Sequence, residues 1–127
     1  MLNREIISTN LAPKAIGPYS QAIKTNNFVF ISGQIPLNTD GNIIKGDIKE
    51  QTEQVLDNLK AILNESGSNF ENSLMITIYI TDMNNFSKVN DVYENYFFEK
   101  PPARACIEVS ALPKGVKIEI SAIALTN

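Results

Sequence analysis

The 127-residue sequence has no histidine and a single cysteine, Cys106. Those shortages exclude much of common enzyme chemistry. A Ser-His-Asp triad, a Cys-His pair and a His-ligated zinc are ruled out, and one thiol cannot build a thiolate metal site. One cysteine also forbids an internal disulfide framework and fits a reducing compartment. No apolar run approaches the ~20 residues needed to cross a bilayer, so no membrane partner is expected. The opening "MLNREIISTN" lacks a basic-then-apolar leader, which makes a cytoplasmic location the expectation. Lysine and arginine never cluster and the net charge is −3. Nucleic acid is therefore not an expected partner, although four Tyr and six Phe could stack on bases. Chemistry here has to run on carboxylate, guanidinium, hydroxyl, amide, water and one thiol.

What remains describes one domain, residues 1–127, without repeats or linkers. "REIISTN", "SQAIKTNN" and "FVFISGQ" read as strands, the last closed by Gly33, and "LNTDGN" reads as a turn. Asp47 followed by Glu50 forms a capping box for a helix whose apolar residues are Ile48, Val55, Leu56, Leu59, Ile62 and Leu63. Gly67 ends that helix. "SLMITIYIT" is a nearly continuous apolar run, expected to be a strand covered on both faces. A second helix carries Phe86, Val89, Tyr93, Tyr96 and Phe97 on one stripe and stops at Pro101-Pro102. "PPARACIEVSALPKGVKIEI" supplies the last two strands around a turn at "LPKG", and the phenylalanines are expected in the core. The order βββ-α-β-α-ββ is that of a single-domain α+β fold, a sheet with two helices on one face.

Alternation assigns faces to the last two strands. Ala105, Ile107 and Val109 share one face, and Arg104, Cys106 and Glu108 the other. Val116, Ile118, Ile120, Ala122 and Ala124 oppose Lys117, Glu119, Ser121 and Ile123. The apolar faces are expected to meet the helices. The second face would then mix Arg104, Cys106, Glu108 and Glu119 with Ile123 and Leu125, and both helices are already used. A second copy of the chain is the expected cover.

"APKAIGPYSQAI", "FVFISGQIPLN", "QTEQVLDNLKAIL", "VNDVYENYF" and "PPARACIEVSALPKGVKIEISAIAL" together resemble the RidA (YjgF/YER057c/UK114) family in order and spacing, over essentially the whole chain. The resemblance implies a six-stranded mixed sheet with two helices on one face and a chorismate-mutase-like trimeric barrel, a homotrimer with clefts between subunits. It implies hydrolysis of small enamine and imine acids, such as 2-aminoacrylate and 2-iminobutanoate, to 2-oxo acids and ammonia, with no cofactor and no metal. On matched positions, Arg104 corresponds to the residue that binds the substrate carboxylate and Glu119 to the one that positions or activates water. Tyr19, Ser32, Gly33, Asn90 and Cys106 match cleft-lining positions. A second glutamate common in the family is replaced by Ser121, which bears on fine tuning rather than on the reaction.

Elementary chemistry supports these roles without the family. Arginine alone offers a rigid two-pronged donor to a carboxylate while staying charged at physiological pH. A carboxylate can orient water and move a proton toward a self-activated iminium carbon. Read singly, Arg104 would be a surface or ion-pair residue and Glu119 a solvated strand residue; their sequence context favours the site. Cys106 reads as an inert thiol because no base is available to activate it. Tyr19 is either a turn aromatic or a cleft residue, with the cleft favoured. Asn90 either caps a backbone or touches ligand, and Ser32 is half structural. A non-catalytic trimer sensing a small carboxylate and an RNA-directed ribonuclease or translation inhibitor are the alternative functions, with a chorismate-mutase-type reaction a weaker third. If the last two strands formed a hairpin, Arg104 would lie about 13 Å beyond the residue facing Glu119. Either these strands are not partners, or one subunit supplies Arg104 and the next Glu119 and Tyr19; the second is the expectation.

Overall fold

The computed structural model describes residues 2–97 and 99–127; Phe98, one of the expected core phenylalanines, lies outside them. Six strands form one mixed sheet: β1 (Glu5–Ile7), β2 (Ala22–Thr25), β3 (Phe28–Gln34), β4 (Ser73–Ile80), β5 (Ala103–Glu108) and β6 (Ile118–Leu125). The helices are α1 (Ile48–Glu65) and α2 (Phe86–Tyr93). Strand order across the sheet is β1-β2-β3-β6-β4-β5, antiparallel throughout except for the parallel pair β4–β5. The α+β class and the element order agree with the sequence reading.

The first helix follows its sequence signals closely. The Asp47 side chain accepts from the Glu50 N–H at 2.9 Å, the N-cap half of the expected capping box; among the described residues the Glu50 carboxylate does not return a bond to the Asp47 N–H. At the other end Gly67 adopts φ +78°, the Ser68 N–H bonds the Leu63 carbonyl and the Gly67 N–H the Asn64 carbonyl. That double closure is a Schellman motif, and the left-handed residue in it is the one position where glycine is favoured. All six apolar residues of the stripe are buried against the sheet. The second helix is shorter than its stripe: it ends at Tyr93, and Tyr96 and Phe97 follow on turns. Aromatic contacts hold that tail in place, with the Tyr93 and Phe97 rings stacked at 4.3 Å and Phe70 edge-on to both Tyr96 and Phe97.

Two expectations about faces are overturned. First, β4 is covered on one side only: Ile76, Ile78 and Ile80 are buried under the helices, while Leu74 is exposed and Thr77 and Tyr79 are half-buried on the other side. Second, β5 is turned over relative to the sequence reading. Its register sets Arg104 beside Ile76, Cys106 beside Ile78 and Glu108 beside Ile80. Partners in adjacent strands share a face, so Arg104, Cys106 and Glu108 lie on the helix side and Ile107 on the open side, where it is 44 % exposed. Alternation separates two sets of side chains without saying which set faces inward. The open face also carries Ile6, Phe28, Phe30 and Leu125, all exposed. Phe86, at the start of α2, is exposed as well, so Phe28, Phe30 and Phe86 are not core residues.

Asn58 on α1 ties the helix to the segment after β3. It is 2 % exposed, and its Nδ2 donates to the Ile35 carbonyl at 3.2 Å and the Leu37 carbonyl at 2.9 Å. Its Oδ1 accepts from Gln54. Removing the donor orphans the Leu37 carbonyl, while the Ile35 carbonyl keeps only the Leu37 N–H. Asn58→Ala is expected to lower unfolding free energy by about 2–3 kcal/mol, read from the urea midpoint at unchanged m-value.

Candidate functional site

Glu119 projects from the open face of β6, opposite a bulge in β3. Ile31 pairs with Ala122 and Gln34 with Ile120, so Ser32 and Gly33 together face Ser121 alone. The bulge brings the Gly33 backbone against the carboxylate. A Cβ at Gly33 would collide with the Glu119 carboxyl group where it stands, so a larger residue here would displace that side chain. Ser32 turns its hydroxyl to the Ser20 carbonyl at 2.6 Å, which pins the neighbouring loop.

That loop, residues 8–20, closes over the bulge. Gln21 is buried and holds the loop through three hydrogen bonds: its Oε1 accepts from Thr9 N–H, and its Nε2 donates to the Thr9 and Pro13 carbonyls. The Tyr19 hydroxyl oxygen accepts from the Ile16 N–H at 3.3 Å, holding the ring beside the cleft. A cleft of about 460 Å³ results, with Tyr19, Ser32, Gly33 and Glu119 on its walls, an apolar lining from Ile16, Ile35 and Leu37, and Lys14 and Lys114 also among its lining residues. Burial pushes the Glu119 carboxyl above the usual carboxylate range. Lys114 adopts φ +58° in the turn before β6, a conformation that its residue type does not announce.

The other sequence-designated residues lie elsewhere. Arg104, Asn90 and Cys106 gather at the β5 edge, on the helix face. Arg104 donates from NH1 to Asn90 Oδ1 at 2.7 Å, and its guanidinium carbon sits 4.8 Å from the Tyr93 ring centre and 5.6 Å from that of Phe86. Asn90 thus neither caps a backbone nor lines the Glu119 cleft. Cys106 is half-buried, and burial pushes its thiol up, partly offset by the Arg104 charge. Glu108 accepts from the Met83 N–H and anchors the approach to α2.

Arg104 and Glu119 are therefore apart in one chain. β4 separates β5 from β6, so the two strands are not partners: the alternative that the sequence reading did not favour holds, and the hairpin geometry from which a shared site was expected is absent. Arg104 is level with Ile76 and Glu119 with Tyr79. Two strand spacings and a three-residue offset place their backbones roughly 14 Å apart, with side chains leaving opposite faces of the sheet. Sequence reasoning missed Gln21, Lys14, Lys114, Phe86 and Tyr93 as parts of the two regions; "GPYSQ" contained Gln21, but nothing in it distinguishes a buried brace from a solvated amide. Among the described residues no group of three or more His, Cys, Asp or Glu could hold a metal ion, and no helix is long and apolar enough to cross a membrane.

The family profile described as endoribonuclease L-PSP matches residues 9–126. The RutC family protein PYRAB12510 of Pyrococcus abyssi is 55 % identical over 122 residues, covering 95 % of this chain and 96 % of that one. The 2-iminobutanoate/2-iminopropanoate deaminase of Mus musculus is 45 % identical over 123 residues, covering 96 % and 91 %. The crystal structure of E. coli TdcF with bound serine superposes with a TM-score of 0.92 at 41 % identity, covering 97 % and 99 %. The chain belongs to the endoribonuclease L-PSP family, the RidA (YjgF) family that its sequence resembles.

A carboxyl held above its ordinary pKa binds its proton more tightly when folded. Its contribution is therefore full below the unfolded pKa, near ~4.3, and declines as pH rises through the interval up to the raised folded value. Glu119→Gln removes the charge that burial disfavours. The variant is expected to unfold at a temperature equal to or above that of the unmodified protein at pH 7, and the difference should close below about pH 4. Thermal unfolding across this range checks both the sign and the window.

Proposed function

We propose that this chain hydrolyses small 2-imino acids and their enamine tautomers to 2-oxo acids and ammonia, with Arg104 from one copy and Glu119 and Tyr19 from the next acting on one substrate. The observation that carries the reading is the division of labour across the sheet. One side holds a guanidinium with no carboxylate within 4.0 Å among the described residues, where the one ion pair joins Lys49 to Asp91. The other side holds a carboxyl biased toward proton uptake at the wall of a largely apolar cleft. The deaminase name of the mouse relative and the serine in the E. coli neighbour both concern small α-substituted carboxylic acids. The apolar residues on the open face favour a homotrimer in which neighbouring copies cover that face and bring the two half-sites together.

The chemistry balances without a cofactor. An enamine substrate first tautomerises to the imine. Arg104 pairs with the substrate carboxylate in a two-pronged, charge-assisted contact. Glu119 accepts a proton from water as its oxygen bonds to the imine carbon, and the C=N π pair moves to nitrogen. The resulting carbinolamine collapses: Glu119 returns its proton to the amino nitrogen, the C–N bond breaks as the C=O forms, and the hydroxyl proton passes through the again-ionised Glu119 to the departing ammonia. Positioning and a fixed field supply most of the acceleration, because the iminium is already electrophilic. The name of the matching family describes an RNA-directed activity. Net charge of −3 without a basic cluster opposes that reading here.

Arg104→Ala is expected to lower kcat/KM about a hundredfold or more, and Arg104→Lys nearly as much because a point charge does not reproduce the fork. Glu119→Gln should cut turnover by roughly 10²–10⁴ while keeping affinity for an unreactive carboxylate. The assay follows decay of 2-iminobutanoate generated by a threonine dehydratase; near-normal turnover in any of these variants defeats the assignment.

Mixing the Arg104→Ala and Glu119→Gln proteins under subunit exchange tests the shared site. Some interfaces then receive both intact residues, so partial activity should return. Mixed assemblies shown by mass spectrometry to remain inactive would rule the shared site out.

A further inference from the structure

Phe86, Asn90 and Tyr93 stand at positions i, i+4 and i+7 of α2 and therefore form one stripe of that helix. All three converge on Arg104: two rings lie at 5.6 and 4.8 Å and one amide oxygen at 2.7 Å. A long cation on an exposed edge strand ordinarily moves among many rotamers. Here its guanidinium carbon lies over two aromatic rings and one NH1 hydrogen is committed, which leaves four of the five guanidinium donors uncommitted to Asn90.

Every member of this cradle is neutral. Asn90 offers a carbonyl oxygen where Asp or Glu would form an ion pair. The Tyr93 phenol is buried without a hydrogen-bond partner among the described residues, and burial pushes it up to about 12, against the opposing pull of Arg104. It therefore adds no negative charge at physiological pH.

We infer that Asn90 is a positioning residue that fixes Arg104 with a neutral acceptor, so that the guanidinium is oriented while its full charge is kept for the ligand's carboxylate, with Phe86 and Tyr93 as the platform. The inference rests on the clamp role of Arg104 proposed above and changes the role of Asn90: it acts through Arg104 rather than on the ligand. It makes an unusual demand. An aspartate at position 90 would hold Arg104 more tightly and serve the ligand worse, because a carboxylate already paired with the guanidinium competes with the incoming one.

The test titrates 2-oxobutanoate, an unreactive keto acid, calorimetrically into the assembled protein and its variants, with thermal unfolding run in parallel. Asn90→Asp is expected to weaken binding about tenfold or more at an unchanged or higher unfolding temperature, with the loss in kcat/KM falling mainly on KM. Asn90→Leu keeps the volume and removes the acceptor, and should weaken binding about three- to tenfold; Phe86→Leu should weaken it by a similar factor. Each effect should vanish when measured on an Arg104→Ala background.

Asn90→Asp binding the keto acid within twofold of the unmodified protein overturns the inference, as does a loss that persists without Arg104. Should Asn90→Leu fail to fold, the aspartate variant decides alone. If Arg104→Ala itself binds the keto acid normally, the clamp assignment fails first, and that result is distinct from failure of the Asn90 role.

Discussion

The structure depends on the last strand being the one that joins the sheet. β1, β2 and β3 form one antiparallel half, and β4 and β5 a parallel pair; only β6 hydrogen-bonds to both halves. Its inward residues, Ile118, Ile120, Ala122 and Ala124, are all buried. Alternation then sends Glu119 and Ser121 outward at the centre of the sheet. Glu119 is half-buried there by its surroundings within the chain, chiefly the β3 bulge and the loop that Gln21 braces. A carboxylate on an edge strand would have remained in water, without the desolvation that raises its pKa.

The features legible from sequence were those governed by local rules. The Asp47 cap, the Gly67 stop and the stripe of α1 involve residues within one or two turns of one another, and each appears where its signal lay. The strands were legible as strands. Their neighbours were not, because pairing is decided by chain segments far apart in sequence. The turn at "LPKG" invited a hairpin, yet Lys114 and Gly115 both take positive φ and the chain passes β4 before re-entering the sheet. Candidate site residues could be named from family-like segments. The division of those candidates into two regions could not, since it follows from strand order and register.

The inverted face of β5 has a physical explanation. Edge strands are covered less than central ones, and α2 is only eight residues long, so the helix side of β5 remains partly open. Arginine suits that position because its stem and planar head can lie on aromatic rings while its donors reach solvent. Ile107 takes the opposite face because the register requires it, and its exposure adds to the apolar surface beside Phe28, Phe30 and Leu125. A pattern that assigns apolar residues inward fails where the inward side is half open. That condition holds in this strand.

Under the proposed function, opposite faces also solve a problem of charge. A guanidinium and a carboxylate needed at one substrate attract each other, and in contact they would pair. Pairing would occupy the fork of Arg104 and drive the Glu119 pKa down, removing both the carboxylate receptor and the proton acceptor at once. With β4 between their strands and the sheet between their side chains, neither can reach the other within a chain. Each half-site is then adjusted by groups that do not neutralise it: Arg104 by two rings and an amide oxygen, Glu119 by partial burial beside Gly33. Under the proposed reading they meet only across an interface, and the substrate between them supplies the carboxylate for one and the electrophile for the other. Assembly then brings opposite charges close enough for catalysis while the ligand keeps them from pairing directly.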